Sequence, residues 1–220
     1  MPVVLSEALQ RSAISRCLEA GETLFEMGDE GDGCYRLHKG CLKVILTSAQ
    51  AGQRIIAVLG PGSIVGDLSM IDGQPRSASV VALIPCVLSF FSRQVFENFT
   101  QTHPELFRDL VQVLAARLRE SDEDHAAFAF LPMKSRVARA LLELAQCVGK
   151  ADGGEKVFLS RKVTQRDLAA LAGVARESVN RILNEWERDG LLNKSAENYE
   201  IAKGRLKRKI HASQRELELE

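Results

Sequence analysis

Gly66-Asp67-Leu68-Ser69, followed after six residues by Arg76-Ser77-Ala78, is the stretch that decides how this chain reads. Glycine lets a backbone come close to a ligand. Asp67 supplies an acceptor for a sugar hydroxyl. Arg76 supplies a planar fork that grips a phosphate through two parallel hydrogen bonds. Ser77 adds a hydroxyl and a backbone N–H, and Gly73-Gln74-Pro75 forms a loop that can close the cradle. An acid and an arginine separated by a turn also describes an ordinary surface ion pair. The full Gly-Asp-Leu, seven residues, Arg-Ser-Ala arrangement between apolar runs is far more specific. It points to a small sugar phosphate.

Outward from this stretch, residues 1–100 read as β structure. Short apolar runs stand at Thr23-Leu24-Phe25, Cys34-Tyr35-Arg36-Leu37, Leu42–Leu46, Ile55–Leu59, Ser79–Leu83 and Cys86–Phe91. Glycines punctuate them. Strands at such close spacing predict an antiparallel roll or barrel. A metal-dependent enzyme on such a barrel would need closely spaced histidines and a carboxylate. The four histidines, at 38, 103, 125 and 211, are too dispersed for a shared metal.

Val65-Gly66-Asp67-Leu68-Ser69 and Arg76-Ser77-Ala78-Ser79-Val80 together resemble the phosphate-binding cassette of cyclic-nucleotide-binding domains. The spacing of Gly21, Gly28, Tyr35 and Gly40 resembles the β-roll of the same family. The resemblance implies that the acid holds the ribose 2′-hydroxyl and the arginine the cyclic phosphate. It makes Gly66, Asp67, Leu68, Ser69, Arg76 and Ser77 the cradle for cyclic AMP or cyclic GMP, with no metal. The chain departs from the family twice. Its acid is Asp where Glu is usual, and the segment to Arg76 is about one residue shorter.

A long helix is predicted from about Pro104 to Phe128. Phe107, Val111, Leu114, Leu118, Ser121, His125 and Phe128 alternate steps of four and three, a heptad seam suited to a two-helix dimer. Leu106, Leu110 and Val113 form a neighbouring stripe suited to packing on the roll. Family members contact the ligand's base from this helix with a pair of small hydroxyl residues. The resemblance places Ser121 and Asp122 there; Ser121 keeps the hydroxyl and Asp122 does not match. Phe130-Leu131-Pro132 interrupts the helix, because proline lacks an N–H and disfavours helix just before it.

Thr164 to Leu183 carries a helix-turn-helix pattern. Thr164 can cap the first helix with Asp167 at its third position. Leu168, Ala169 and Ala172 form its buried face, and Gly173 serves the tight turn. Val179, Ile182, Leu183 and Trp186 are buried positions of the second helix. Gln165, Arg176, Glu177, Asn180 and Arg181 remain for DNA. Arg176 and Arg181 suit guanine O6 and N7, and Glu177 can accept from cytosine N4. Arg176-Glu177 and Arg181 match the base-reading positions of the CRP/FNR family, whose members the chain resembles over residues 10–202. Asp189–Leu192 and Tyr199–Ile201 suit a closing wing. The basic run 203–209, turning acidic at 216–220, can touch the DNA backbone, and reads more readily as a solvated helix or a loose tail.

Charge agrees with this division. Residues 1–100 hold 8 Lys/Arg against 10 Asp/Glu, and residues 134–210 hold 17 against 10, giving −2 and +7. A basic C-terminal domain suits a polyanion. No apolar run approaches the roughly 18 residues of a membrane span. The N-terminus, Met1–Glu7, has no basic segment or apolar signal core, so a cytoplasmic protein is expected. Cysteines at 17, 34, 41, 86 and 147 form no CxxC pair and read as reduced thiols.

The expectation is an α+β chain: residues 1–103 an antiparallel β-roll that binds a cyclic nucleotide, 104–131 a dimerisation helix and hinge, 132–220 a winged helix-turn-helix. It is expected to act as a homodimeric transcription regulator on palindromic double-stranded DNA, with RNA polymerase as a further partner, and not as an enzyme. Redox-driven and ligand-independent regulators of the same build are the alternatives.

Overall fold

The computed structural model describes residues 14–48, 50, 52–151, 156–160, 163–195, 198–206 and 208. The first residues, part of the Gly149–Gly154 loop, the acidic end of the tail and the Leu106 side chain lie outside the described residues. The chain forms two compact units. One holds residues up to Leu46 with Leu59–Glu123, and the other holds Thr47–Val58 with the residues from Asp124 onward.

The first unit is built on a mainly antiparallel sheet. β1 (Ile14–Leu18), β6 (Ser79–Ser92), β3 (Gly33–Ser48) and β4 (Gly52–Leu59) follow in that order, with β2 (Thr23–Phe25) on β6 and β5 (Ile64–Val65) on β3; the end of β3 and β4 as far as Val58 are counted with the second unit. The apolar alternation of β3 and β6 turns Leu37, Leu42, Val80, Ala82 and Leu88 into one core with Leu18, Leu24 and Tyr35. Each fully buried aliphatic side chain stabilises the fold by roughly 1.5–3 kcal/mol. Three helices belong to this part of the chain: α1 (Asp67–Asp72), α2 (Arg93–Thr102) and the start of α3 (Glu105–Phe130). Ser92 caps α2, its side chain accepting from the Val95 N–H. Phe96 of α2 and Leu110 of α3 close a second cluster with Cys34, Met70 and Phe91.

α3 leaves Phe107, Val111 and Leu118 between half and two-thirds exposed. Leu114, assigned with them to the predicted seam, instead packs in part against the Cys34 cluster. Leu110 packs there too, as its stripe predicted.

The second unit carries α4 (Met133–Val148), α5 (Gln165–Ala172), α6 (Arg176–Arg188) and a four-stranded antiparallel sheet. Its strand order is β7 (Lys150–Ala151), β8 (Lys156–Ser160), β10 (Asn198–Ala202), β9 (Leu192–Lys194). Pro132 stands just before α4, where its missing N–H costs nothing. Val137, Leu141, Leu144, Leu168, Val179, Leu183 and Trp186 are fully buried. The wing is thus half of a larger sheet, because β7 and β8 precede the helix-turn-helix, pair with each other, and join the closing strands where β8 pairs with β10. Of the two readings of the basic run, helix or loose tail, its start at residues 203–206 is helical. Leu206 is buried, and Arg205 Nη1 donates to Gly190 O at 3.1 Å.

Candidate ligand and DNA-binding sites

Gly66 has φ +81 and caps α1, a conformation that L side chains rarely adopt. A Cβ there would stand 2.5 Å from Arg76 Nη1, so glycine is what lets the guanidinium reach this backbone. Arg76 Nη1 donates to Gly66 O at 2.7 Å. The main chain fixes the same residue: Arg76 N donates to Asp29 O and Gly28 N to Arg76 O, both at 2.8 Å. The guanidinium carbon lies 4.4 Å from the Phe25 ring centroid, a cation–π distance. Arg76 is only 4% exposed, Asp32 sits 3.7 Å from its Nη2, and its Nε–H has no hydrogen-bond partner. A buried donor without an acceptor costs free energy unless something fills the place.

Asp67, also 4% exposed, heads α1. Arg117 of α3 donates through Nη1 to both of its oxygens, at 2.8 and 2.7 Å, and through Nη2 to Ile64 O. The sequence reading missed Arg117, because an arginine on an exposed helix is indistinguishable from solvated charge. An ionised carboxylate offers about four lone-pair positions, so Asp67 retains capacity for a hydroxyl. Arg93, at the start of α2, donates through Nη2 to Gly31 O at 3.0 Å and Ser69 O at 2.7 Å, joining the two walls of the cradle. Ser69 is buried, whereas Leu68 and Ser77 are exposed. Ser121 and Asp122 are exposed on α3. Among the described residues, no group of three His, Cys, Asp or Glu side chains could hold a metal ion.

Cys34, buried in the cluster beside this site, has its thiol pushed up from 9.0 to about 12, first by burial and then by the charge of Asp67. The neutral thiol is the favoured form. Its contribution to stability is complete below about pH 9 and is lost as the pH climbs from there toward 12. Thiolate is the reactive species. Cys34 is therefore expected to resist iodoacetamide in the folded protein at pH 8 while exposed Cys17 reacts. Mass spectrometry of the alkylated peptides checks this. Cys17, Cys34 and Cys86 are free.

At the other site, Thr164 caps α5 in a full capping box: its hydroxyl accepts from Asp167 N at 3.1 Å, and its N–H donates to Asp167 Oδ2 at 3.1 Å. Gly173, at φ +60, closes α5. α6 then presents Arg176, Glu177, Asn180 and Arg181 on its exposed face, opposite the buried Val179, Ile182, Leu183 and Trp186. Gln165 of α5 reaches across the turn, its Nε2 donating to Asn180 Oδ1 at 3.4 Å.

A roll with an arginine–acid cradle, joined to a helix-turn-helix, is the build of a ligand-controlled transcription regulator. Residues 15–103 match the cyclic nucleotide-binding domain family, and residues 135–204 match the Crp-like helix-turn-helix domain. The chain is 31% identical over 170 residues to a CRP-like cAMP-activated global transcriptional regulator of Mycobacterium tuberculosis, covering 77% of this chain and 75% of that one. It is 31% identical over 195 residues to the cyclic AMP receptor protein of Thermus thermophilus, covering 89% and 87%. A solved CRP/FNR-family transcriptional regulator, also from Thermus thermophilus, is similar at a TM-score of 0.76 and 26% identity, over 90% of this chain and 98% of its own. The chain belongs to the CRP/FNR family of transcription regulators.

Proposed function

We propose that this regulator works as a homodimer whose binding to palindromic double-stranded DNA is switched by a cyclic nucleotide, cyclic AMP or cyclic GMP. The observation that carries the reading is Arg76: a buried guanidinium, braced by Phe25 and Gly66 O, with an unpartnered Nε–H. A cyclic phosphate supplies the acceptor that this donor lacks. Asp67 would take the ribose 2′-hydroxyl on the lone pairs that Arg117 leaves. Gly66, Leu68, Ser69 and Ser77 would complete the cradle, and Ser121 and Asp122 would meet the base from α3. The exposed apolar residues Phe107, Val111 and Leu118 would form the dimer seam. The working domains are then 1–103, 104–131 and 132–220, with RNA polymerase as the natural further partner of a DNA-bound regulator in the cytoplasm.

Coupling between the two sites is then typically about 1–3 kcal/mol, enough to change DNA occupancy several-fold or more. Isothermal titration of the full chain with cyclic AMP and with cyclic GMP tests the reading, and absence of heat with both overturns it. The base contact has its own test. A carboxylate at Asp122 can accept from guanine N1–H and N2 together, but only once from the adenine N6 amino group. Asp122→Ala is therefore expected to shift the ratio of the two affinities toward cyclic AMP by several-fold. A ratio that does not move removes Asp122 from the base contact.

A further inference from the structure

Phe128 lies near the C-terminal end of α3, in the unit that holds the helix-turn-helix. The heptad reading assigned it to the dimer seam. The structure gives the ring three neighbours of another kind. The guanidinium carbon of Arg54, in β4, lies 3.8 Å from the ring centroid, and that of Arg136, in α4, lies 4.9 Å from it. The third neighbour is the turn of the helix-turn-helix. A Cβ on Gly173 would collide with Phe128 Cε2 and stand 3.1 Å from Cδ2. Glycine at 173 thus serves two ends: it adopts φ +60, and it leaves room for the ring. Arg136 bonds the same turn, its Nη1 donating to Gly173 O at 3.4 Å, while its buried Nε has no partner.

We propose that Phe128, held by Arg54 and Arg136, is a positioning clamp for the DNA-reading turn. The ring fixes the Gly173 backbone, and the turn fixes where α6 begins at Arg176. The β4 arginine takes part because residues Thr47–Val58 belong to the same compact unit as the helix-turn-helix. Each guanidinium gains a cation–π attraction to the same ring. The clamp exists only when α3 is helical as far as Phe128. The clamp rests on the geometry alone; the cyclic AMP arms of its test rest on the function proposed above.

The test compares wild type, Arg54→Gln, Phe128→Leu and the double variant, each as the full chain. Calorimetric titration measures cyclic AMP binding. Fluorescence anisotropy measures affinity for a duplex with inverted TGTGA half-sites, with and without cyclic AMP. Hydrogen exchange follows the amides of residues 173–176. Arg54→Gln should bind cyclic AMP like wild type. In its presence the variant should lose about three- to tenfold in DNA affinity, and its 173–176 amides should exchange faster. Phe128→Leu should lose more, and the double variant no more than Phe128→Leu alone, because Arg54 acts through the ring. Arg54→Gln with wild-type DNA affinity and wild-type exchange overturns the clamp. If wild type takes up neither cyclic AMP nor cyclic GMP, the proposed function fails, and the exchange rates and the double-variant comparison still decide the clamp.

Discussion

Replacing Arg76 with leucine is expected to abolish cyclic-nucleotide binding while the protein remains folded. The guanidinium is buried, and a truncated partner in a buried, hydrogen-bonded charge pair typically costs about 2–5 kcal/mol of affinity. At about 1.4 kcal/mol per factor of ten, the loss is on the order of 30-fold to several thousand-fold. The fold should tolerate the change. Leucine keeps the apolar contact with Phe25, Asp32 is an exposed side chain, and the main-chain bonds of residue 76 to Gly28 and Asp29 do not involve the side chain. Calorimetric titration with circular dichroism as the fold control decides the matter. Unchanged affinity in a folded Arg76→Leu protein would remove the pocket assignment.

Arg181→Ala is expected to relax DNA specificity at one base pair per half-site. Arg181 is exposed on α6, while Ile182 and Leu183 beside it are buried, so the substitution leaves the helix core untouched. A bidentate arginine–guanine contact is worth about 1–3 kcal/mol of discrimination. The match of Arg176, Glu177 and Arg181 to the family's reading positions suggests a TGTGA-like half-site, repeated with dyad symmetry about one helical turn away. Replacing a phosphate-contacting lysine or arginine should instead weaken all sequences alike and flatten the salt dependence. Selection from a random DNA pool separates the two behaviours. A consensus without dyad symmetry, or one that Arg181→Ala leaves unchanged, would count against both the dimer and the reading helix.

Much of this was legible in the chain because local chemistry and global fold agree. The turn chemistry of Thr164, Asp167 and Gly173 fixed α5 and its end, and the structure carries each bond expected of them. The four apolar positions of α6 gave its buried face. Other features were hidden for physical reasons. The runs at Cys34–Leu37 and Leu42–Leu46 were read as two strands, but β3 runs through both. The ladder absorbs the break with register shifts between Leu37 and Leu42, where Gly40 takes φ +100. β1 was missed because most of its residues are exposed, so it shows no clear apolar alternation. α2 fell inside a region read as β, because Phe96 and Phe99 resemble strand residues when taken singly. Arg93 and Arg117 were missed together. Their roles come from carbonyls and a carboxylate that are distant in sequence, and a single chain without its fold does not reveal such partners.

The pairing of Arg117 with Asp67 bears on how strictly the proposed site would tell ribose from deoxyribose. Sharp discrimination arises when losing a ligand hydroxyl strands a buried acceptor, at about 1–3 kcal/mol for the stranded group. Asp67 cannot be stranded in this way, because both of its oxygens already accept from Arg117. A 2′-deoxy ligand would forfeit one hydrogen bond and leave the carboxylate satisfied. The site's preference for its sugar would then be mild, and its discrimination would rest mainly on the phosphate that Arg76 awaits.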